Sequence, residues 1–389
     1  MIDAIVAGHL CVDIIPTIPA ATAESASFLA PGRLAEVDRA VLSTGGSVSN
    51  TGLAMERLGL DVRLVARIGD DAIGSLTRDL LAGRDPRLVE GLSVRGGDPS
   101  SYTIVISPPG GDRSFLHCPG TNNSFGPEDI SDDLMDSARL MHFGYPPLMR
   151  RMYADGGDDL SQIYCRAKSH GLTTSLDMAM PDPAHPSGKA DWEGILTRVL
   201  PLVDVFLPSA EELLYMLDRP KYERLVAEAG LAGMLDAVTP EDIRALADEA
   251  ISLGAQIVAI KLGHRGLYLR TPKESGDLGS GGPAHTNAWL DQELWSPCFV
   301  VDVAGTNGAG DCTIAGFLTG MLRNQTPEQA VTSAVATGAC NVERPDATSG
   351  VRSWSDTMER IERGWDRRSP GPLGPDWRRL PSGVFSSRA

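Results

Sequence analysis

The chain has 389 residues, 42% of them hydrophobic, enough to fill one large domain or two ordinary ones. Lysine and arginine total 35 against 51 acids, a formal charge of -16, which argues against a nucleic-acid partner held through a broad basic face. The six cysteines form no C-x-x-C pair, so reduced thiols are expected in place of a disulfide framework or structural zinc.

The amino-terminal "MIDAIVAGHLCVDIIP" lacks the basic region of a targeting signal and reads as a first strand, with Asp13 at its end. No later apolar run reaches the roughly 20 residues of a membrane span. A soluble, cytoplasmic protein is expected. From about Ile14 to Leu42, polar and apolar residues alternate as in half-exposed strands, and "SYTIVISPPGGDRSFLHC" does so again around a Pro-Gly-Gly-Asp turn. These two segments predict a small separate sheet.

Between them, "GGSVSNTGLAMERLGLDVRLVARIGDDAIG" reads as a glycine turn, a helix and a strand. The later runs "TTSLDM", "VDVFLP" and "QIVAIKLG" read as strands, and "PEDIRALADEAISLG" as the helix leading into the last of them. Strands alternating with helices predict a mainly parallel sheet covered on both faces. Lys273 to Asn287 reads as a Gly/Ser-rich surface loop, and the Pro-, Arg- and Ser-rich tail from about Gly364 as a surface extension or a partly disordered segment.

The stretch "GTNGAGD", Gly305 to Asp311, stands directly before the apolar helix "CTIAGFLTGML". Free backbone N–H groups at a helix start carry the positive end of the dipole, so a bare loop there lets an anion come close. A carboxylate beside such a site can take a proton from an incoming hydroxyl. The plainer reading is a tight turn with Asp311 as an N-cap worth about 1 kcal/mol. No G-x-x-x-x-G-K-[ST] occurs, which excludes a Walker loop, and no G-x-G-x-x-G follows a strand.

"NGAGD" before an apolar helix resembles the carboxy-terminal signature of the PfkB (ribokinase-like) family of carbohydrate and nucleoside kinases. The "GGSVSN" segment with its helix, strand and "GDDAIG" is similar to that family's amino-terminal signature. The resemblance implies an α/β ribokinase-like fold, a doubly wound, mainly parallel sheet with helices on both faces and a small β-sheet lid. Residues 1–13, 43–94 and 119–355 would form the kinase domain, 14–42 and 95–118 the lid, and 356–389 a C-terminal extension.

It further implies that Asp311 is the general base and that the N–H groups of Gly308, Ala309 and Gly310 stabilise the transferring phosphoryl group. Asp13, Gly45, Gly46, Asn50 and Asn122 would hold the substrate. Arg113 either reaches substrate or phosphate or is an exposed hairpin arginine. Ser209 stands where the family's N-x-x-E element has Asn, and Glu212 takes its Glu position, acting on a metal through water. In "IKLGHRG", Lys261, Gly263 and Gly266 would lie along the nucleotide, with Asn341 bordering the adenine. ATP and Mg²⁺ are the implied cofactors, and a homodimer through the lid is expected.

Gly305 occupies the place of an Asp that helps form the family's monovalent-cation site, and the nearest acid is Asp302, so a K⁺ requirement stays open. The reading of the sequence is an ATP-dependent kinase acting on a hydroxymethyl of a small neutral sugar, fructose- or ribose-like. Two alternatives stand beside it: a nucleoside kinase using Phe28, Tyr102 or Phe115 to stack on a base, and a non-catalytic sugar- or nucleotide-sensing homologue.

Overall fold

The computed structural model describes residues 1–25, 28–109 and 114–388. Its large sheet has eleven strands, in the order Arg378–Arg379, Phe385–Ser386, Glu293–Ser296, Leu267–Arg270, Ile257–Lys261, Val205–Phe206, Thr173–Leu176, Ala138–Gly144, Ile2–Gly8, Val62–Gly69 and Gly91–Arg95. From Ile257–Lys261 through to Gly91–Arg95 every pairing is parallel; the strands beyond Ile257–Lys261 pair antiparallel.

The central strands read as unbroken apolar runs because both faces are buried. Ile5 and Ala7 face one core and Ala4 and Val6 the other; Val258 and Ile260 alternate with Ile257 and Ala259 in the same way. Helices Ser47–Arg57, Ala309–Leu322 and Pro327–Val342 cover one face, and Asp158–Ser169, Ala210–Leu217 and Pro240–Ser252 the other.

"AIVAGHLCVDII" is two strands where the sequence reads as one. Gly8 has φ 123°, and a Cβ there would meet the Gly144 carbonyl oxygen at 2.3 Å. That glycine lets the chain leave the large sheet and enter a second one at Cys11. The second sheet has four strands in the order Asp38–Gly45, Cys11–Thr17, Tyr102–Ile106 and Ser114–Cys118. Its central pair is parallel and its outer pairs antiparallel. The Gly-Gly-Asp portion of the expected turn and Arg113 lie outside the described residues.

Both expected surface segments lie largely on the surface and are anchored to the body at a few points. In the Gly/Ser-rich stretch Leu278 is buried, and its carbonyl accepts from the Thr173 hydroxyl. The tail adds its two short strands to the edge of the large sheet. Aromatic area explains this: Trp377 meets Tyr268 and Trp295 edge-on with ring centroids 6.2 and 6.1 Å away, and Val384 is fully buried.

Candidate active site

Helix Ala309–Leu322 lies against helix Pro327–Val342 at the closest approach glycine allows. A Cβ on Gly316 would stand 2.5 Å from the Thr337 hydroxyl oxygen, and one on Gly338 2.4 Å from that of Thr313. This contact fixes where the first helix begins. Its N-cap is Gly308 at φ 67°, where a Cβ would collide with the Ala347 carbonyl at 2.3 Å. No side chain caps the start. Gly308, Ala309 and Gly310 line the adjoining cavity. The Ala309 amide differs from expectation: it donates to the Thr306 carbonyl at 3.3 Å, because the preceding turn folds back on it.

Asp311, in the first turn, is 3% exposed. Asn50 Nδ2 donates to its Oδ2 at 2.9 Å, and the Tyr145 hydroxyl lies 2.9 and 3.0 Å from its two oxygens. Burial pushes the Asp311 carboxyl above its ordinary value; hydrogen bonds from Asn50 and Tyr145 and the charge of Lys261 oppose that without cancelling it. Tyr145 has φ 65° and ψ 43°, a left-handed backbone that a bulky residue seldom takes, directly before two prolines. The strain directs the phenol at the carboxylate.

Lys261, at the end of its strand, pairs with the fully buried Asp177. Burial would pull its ammonium down, but Asp177, Glu212 and Asp311 outweigh it and hold the group above its usual value. Ser209 caps helix Ala210–Leu217 by accepting from the Glu212 N–H at 3.2 Å, while Glu212 Oε2 accepts from the Ser209 N–H at 2.6 Å. Glu212 is thus half committed to a capping box, although both residues also line the cavity. Beside it, burial raises the Glu211 carboxyl. Among the described residues no group of three or more His, Cys, Asp or Glu could grip a bare metal ion.

Asp13 lies on strand Cys11–Thr17 of the small sheet. A Cβ on Gly45 would lie 2.3 Å from Asp13 Oδ2, so the glycine makes room for this acid. A Cβ on Gly46 would lie 2.5 Å from His9 Nδ1. Around Asp13 runs a chain of contacts: the Cys11 thiol donates to Asp13 Oδ1 at 3.4 Å, the Thr103 hydroxyl lies 3.6 Å from that sulfur and 3.0 Å from His117 Nδ1, and His117 Nε2 is 3.3 Å from His9 Nε2. Burial lowers His9 to about 3, with His117 adding to the effect, and burial also lowers His117. Both imidazoles are therefore uncharged at neutral pH.

A cavity of about 740 Å³ opens from Asp311 and Tyr145. Ser209, Glu212, Lys261, Gly263, Gly266, Gly308, Ala309 and Gly310 border it, with Val335, Ala339 and Val342 forming an apolar side. Two expected residues have other tasks. Asn122 is fully buried and clamps the Leu10 backbone, accepting from its N–H at 3.1 Å and donating to its carbonyl at 3.0 Å. Its amide is spent on positioning the strand that carries Asp13. Asn341 is fully buried and donates to the Asn307 carbonyl at 2.9 Å, bracing the glycine loop from behind. Asp302 is exposed, so the nearest acid to Gly305 does not turn inward.

Sequence reasoning missed Tyr145, His9 and His117. The signal for Tyr145 was its place between a strand end, "HFG", and two prolines, a position where a side chain is held stiffly. The histidines carry no periodicity that separates them from core residues.

The two sheets and their connections define the ribokinase-like fold. Arabidopsis thaliana ribokinase complexed with ribose and ATP superposes with a TM-score of 0.69 at 19% identity, over 92% of this chain and 98% of that one. A putative ribokinase II from E. coli in complex with ATP and Mg²⁺ gives a TM-score of 0.68 at 17% identity, over 93% and 100% of the two chains. Residues 6–354 match the family described as pfkB family carbohydrate kinase, and the chain belongs to that family of sugar kinases. Among its relatives, the ATP-dependent ribose-1-phosphate kinase of Halopiger xanaduensis is 26% identical over 309 residues, 79% of this chain and 83% of its own. Fructokinase-2 of Solanum lycopersicum is 22% identical over 324 residues, 82% of this chain and 81% of its own.

The raised Asp311 carboxyl has a consequence for stability. Its folded value lies above its unfolded one, so the ionised group costs stability at neutral pH, and that cost is relieved as pH falls through the folded value. Asp311→Asn, which removes the charge and keeps the shape, is expected to leave the thermal midpoint at pH 7 unchanged or raised. A fall of more than about 3 °C would show instead that the charge stabilises the fold.

Proposed function

We propose that the chain transfers the γ-phosphoryl group of ATP to a hydroxymethyl group of a small neutral sugar, fructose- or ribose-like, with Asp311 as general base. The observation that carries this is the Tyr145 phenol, a hydroxyl already bonded to both oxygens of a buried acid at an uncapped helix start. It occupies the place an acceptor hydroxyl needs. On this reading the acceptor replaces the phenol and gives its proton to Asp311 while its oxygen bonds to the γ-phosphorus. The bond from that phosphorus to the β–γ bridging oxygen breaks, and ADP departs.

The N–H groups of Gly308 and Gly310 would stabilise the transferring phosphoryl group, and Lys261 would supply positive charge beside it. Glu211 and Glu212, on the cavity wall, would hold the water shell of a Mg²⁺ ion bound with ATP, which would neutralise phosphate charge there. The second oxygen of Glu212, outside the capping contact, fits that task. Relatives and structures named for ATP, ribose and fructose support this reading.

The ribose-1-phosphate kinase relative raises a phosphorylated acceptor as the alternative. Two uncharged imidazoles, a thiol and a hydroxyl beside Asp13 offer hydrogen bonds suited to sugar hydroxyls and no positive charge for a phosphate. Asp13, Gly45, Gly46 and Asn50 are proposed to bind the sugar, and the small sheet to act as a lid that excludes water. Its apolar residues Val41, Leu42, Phe115 and Leu116 are 53%, 44%, 59% and 57% exposed, which supports a homodimer through the lid. Sedimentation should then give twice the chain mass, and Phe115→Glu should halve it; a wild-type monomer at micromolar concentration would remove the dimer.

In steady-state assays, Asp311→Asn is expected to lower kcat about 10²- to 10⁴-fold. An unchanged kcat would exclude the proposed base. Turnover on neutral ketohexoses and pentoses should exceed that on their phosphates and on nucleosides, and the reverse order would overturn the acceptor class.

Tyr145→Phe removes a hydrogen bond that favours ionised Asp311. The acid limb of the kcat–pH profile should therefore move to higher pH, and ATP hydrolysis without sugar should rise because water gains access to the base. A limb that stays in place would show that the phenol does not tune the carboxylate.

A further inference from the structure

The wall of the cavity is completed by a segment beyond the family match, which ends at residue 354. The backbone from Trp365 to Arg368 is clipped onto the loop at 298–300. The Val300 N–H donates to the Asp366 carbonyl at 2.8 Å, the Arg368 N–H to the Cys298 carbonyl at 2.8 Å, and Trp365 Nε1 to the Val300 carbonyl at 2.9 Å. Phe299, a cavity residue, is stacked on Trp365 with centroids 4.3 Å apart and planes 19° from parallel. Arg360 lies 3.6 Å over the outer face of that stack and Arg367 4.3 Å over Phe299.

Arg360 and Arg367 are consumed by this structure. Arg360 also pairs with Glu343 at 2.8 Å, and Arg367 donates to the Ser296 hydroxyl and the Pro297 carbonyl at 2.9 Å each. Arg368 is different: it borders the cavity, it is exposed, and among the described residues its guanidinium has no hydrogen bond or ion pair.

Charge gives that free guanidinium a role. Glu211, Glu212 and Asp311 line the same cavity, Lys261 is committed to Asp177, and His264 at the rim is paired with Asp236 at 2.8 Å. A polyphosphate entering this space meets three carboxylates, and Arg368 is the uncommitted cation among the described lining residues. A planar guanidinium with five donors suits phosphate oxygens. We infer that Arg368, delivered by the carboxy-terminal segment, is a nucleotide-binding residue that contacts the phosphate chain. The inference rests on the reading of this cavity as the ATP site.

The test is calorimetric titration of the full chain and of Arg368→Ala with Mg·ATP and, separately, with adenosine. The variant should bind Mg·ATP roughly tenfold more weakly, bind adenosine within about twofold of wild type, and show a shallower salt dependence. Arg368→Lys should recover part of the loss. Equal Mg·ATP affinity in wild type and Arg368→Ala would overturn the inference while leaving the ATP site standing. An equal loss for adenosine would also overturn it, since the residue would then be shaping the wall. If the wild type binds neither ligand, the cavity is not a nucleotide site and both readings fall. Arg368 is exposed, so an unchanged thermal midpoint for the variant serves as the folding control.

Discussion

A carboxylate buried away from water survives only if other groups supply the hydrogen bonds that water would have made. Asp311 meets that condition with Asn50 from one helix and Tyr145 from the end of a strand. Much of the architecture serves that meeting point. Glycines at 316 and 338 let two helices close on each other and set the height of the helix start, Gly308 turns the chain into it, and Asn341 braces the loop behind. The donors are too few to restore the ordinary carboxyl value.

The two sheets divide the work. The large sheet, buried on both faces, is a floor whose strand ends present Tyr145, Asp177 and Lys261, and Lys261, paired with Asp177, acts electrostatically on Asp311. The small sheet carries Asp13 within a net of Cys11, Thr103, His117 and His9. On the proposed reading, one side of Asp311 would take the phosphate chain and the other the polyol. The carboxy-terminal segment extends the first of these by stacking on Phe299.

The parallel core was legible because strands buried on both faces leave continuous apolar runs, and the glycine loop with Asp311 was legible because bare backbone before an apolar helix has few other uses. Gly45 and Gly46 were likewise readable, and the structure shows which side chains need their space. Asn122 and Asn341 show the ambiguity of the signal, since an amide that clamps backbone has the same one-letter signature as one that faces a ligand. Tyr145 was hidden for the converse reason: an aromatic after a strand reads as core, and only a strained backbone angle turns its hydroxyl toward an acid far along the chain. The tail reads as polar by composition, yet Trp365, Trp377 and Val384 each find a partner that sequence alone does not pair.

Everything converges on what occupies the two oxygens of Asp311 when both substrates are bound. A crystal structure of the chain with a neutral sugar and a non-hydrolysable ATP analogue would show it directly. The account predicts an acceptor hydroxyl about 3 Å from Asp311, with the Tyr145 phenol moved aside and the terminal phosphate against the amides of Gly308 and Gly310. A sugar bound elsewhere, with the phenol still seated on Asp311, would contradict it.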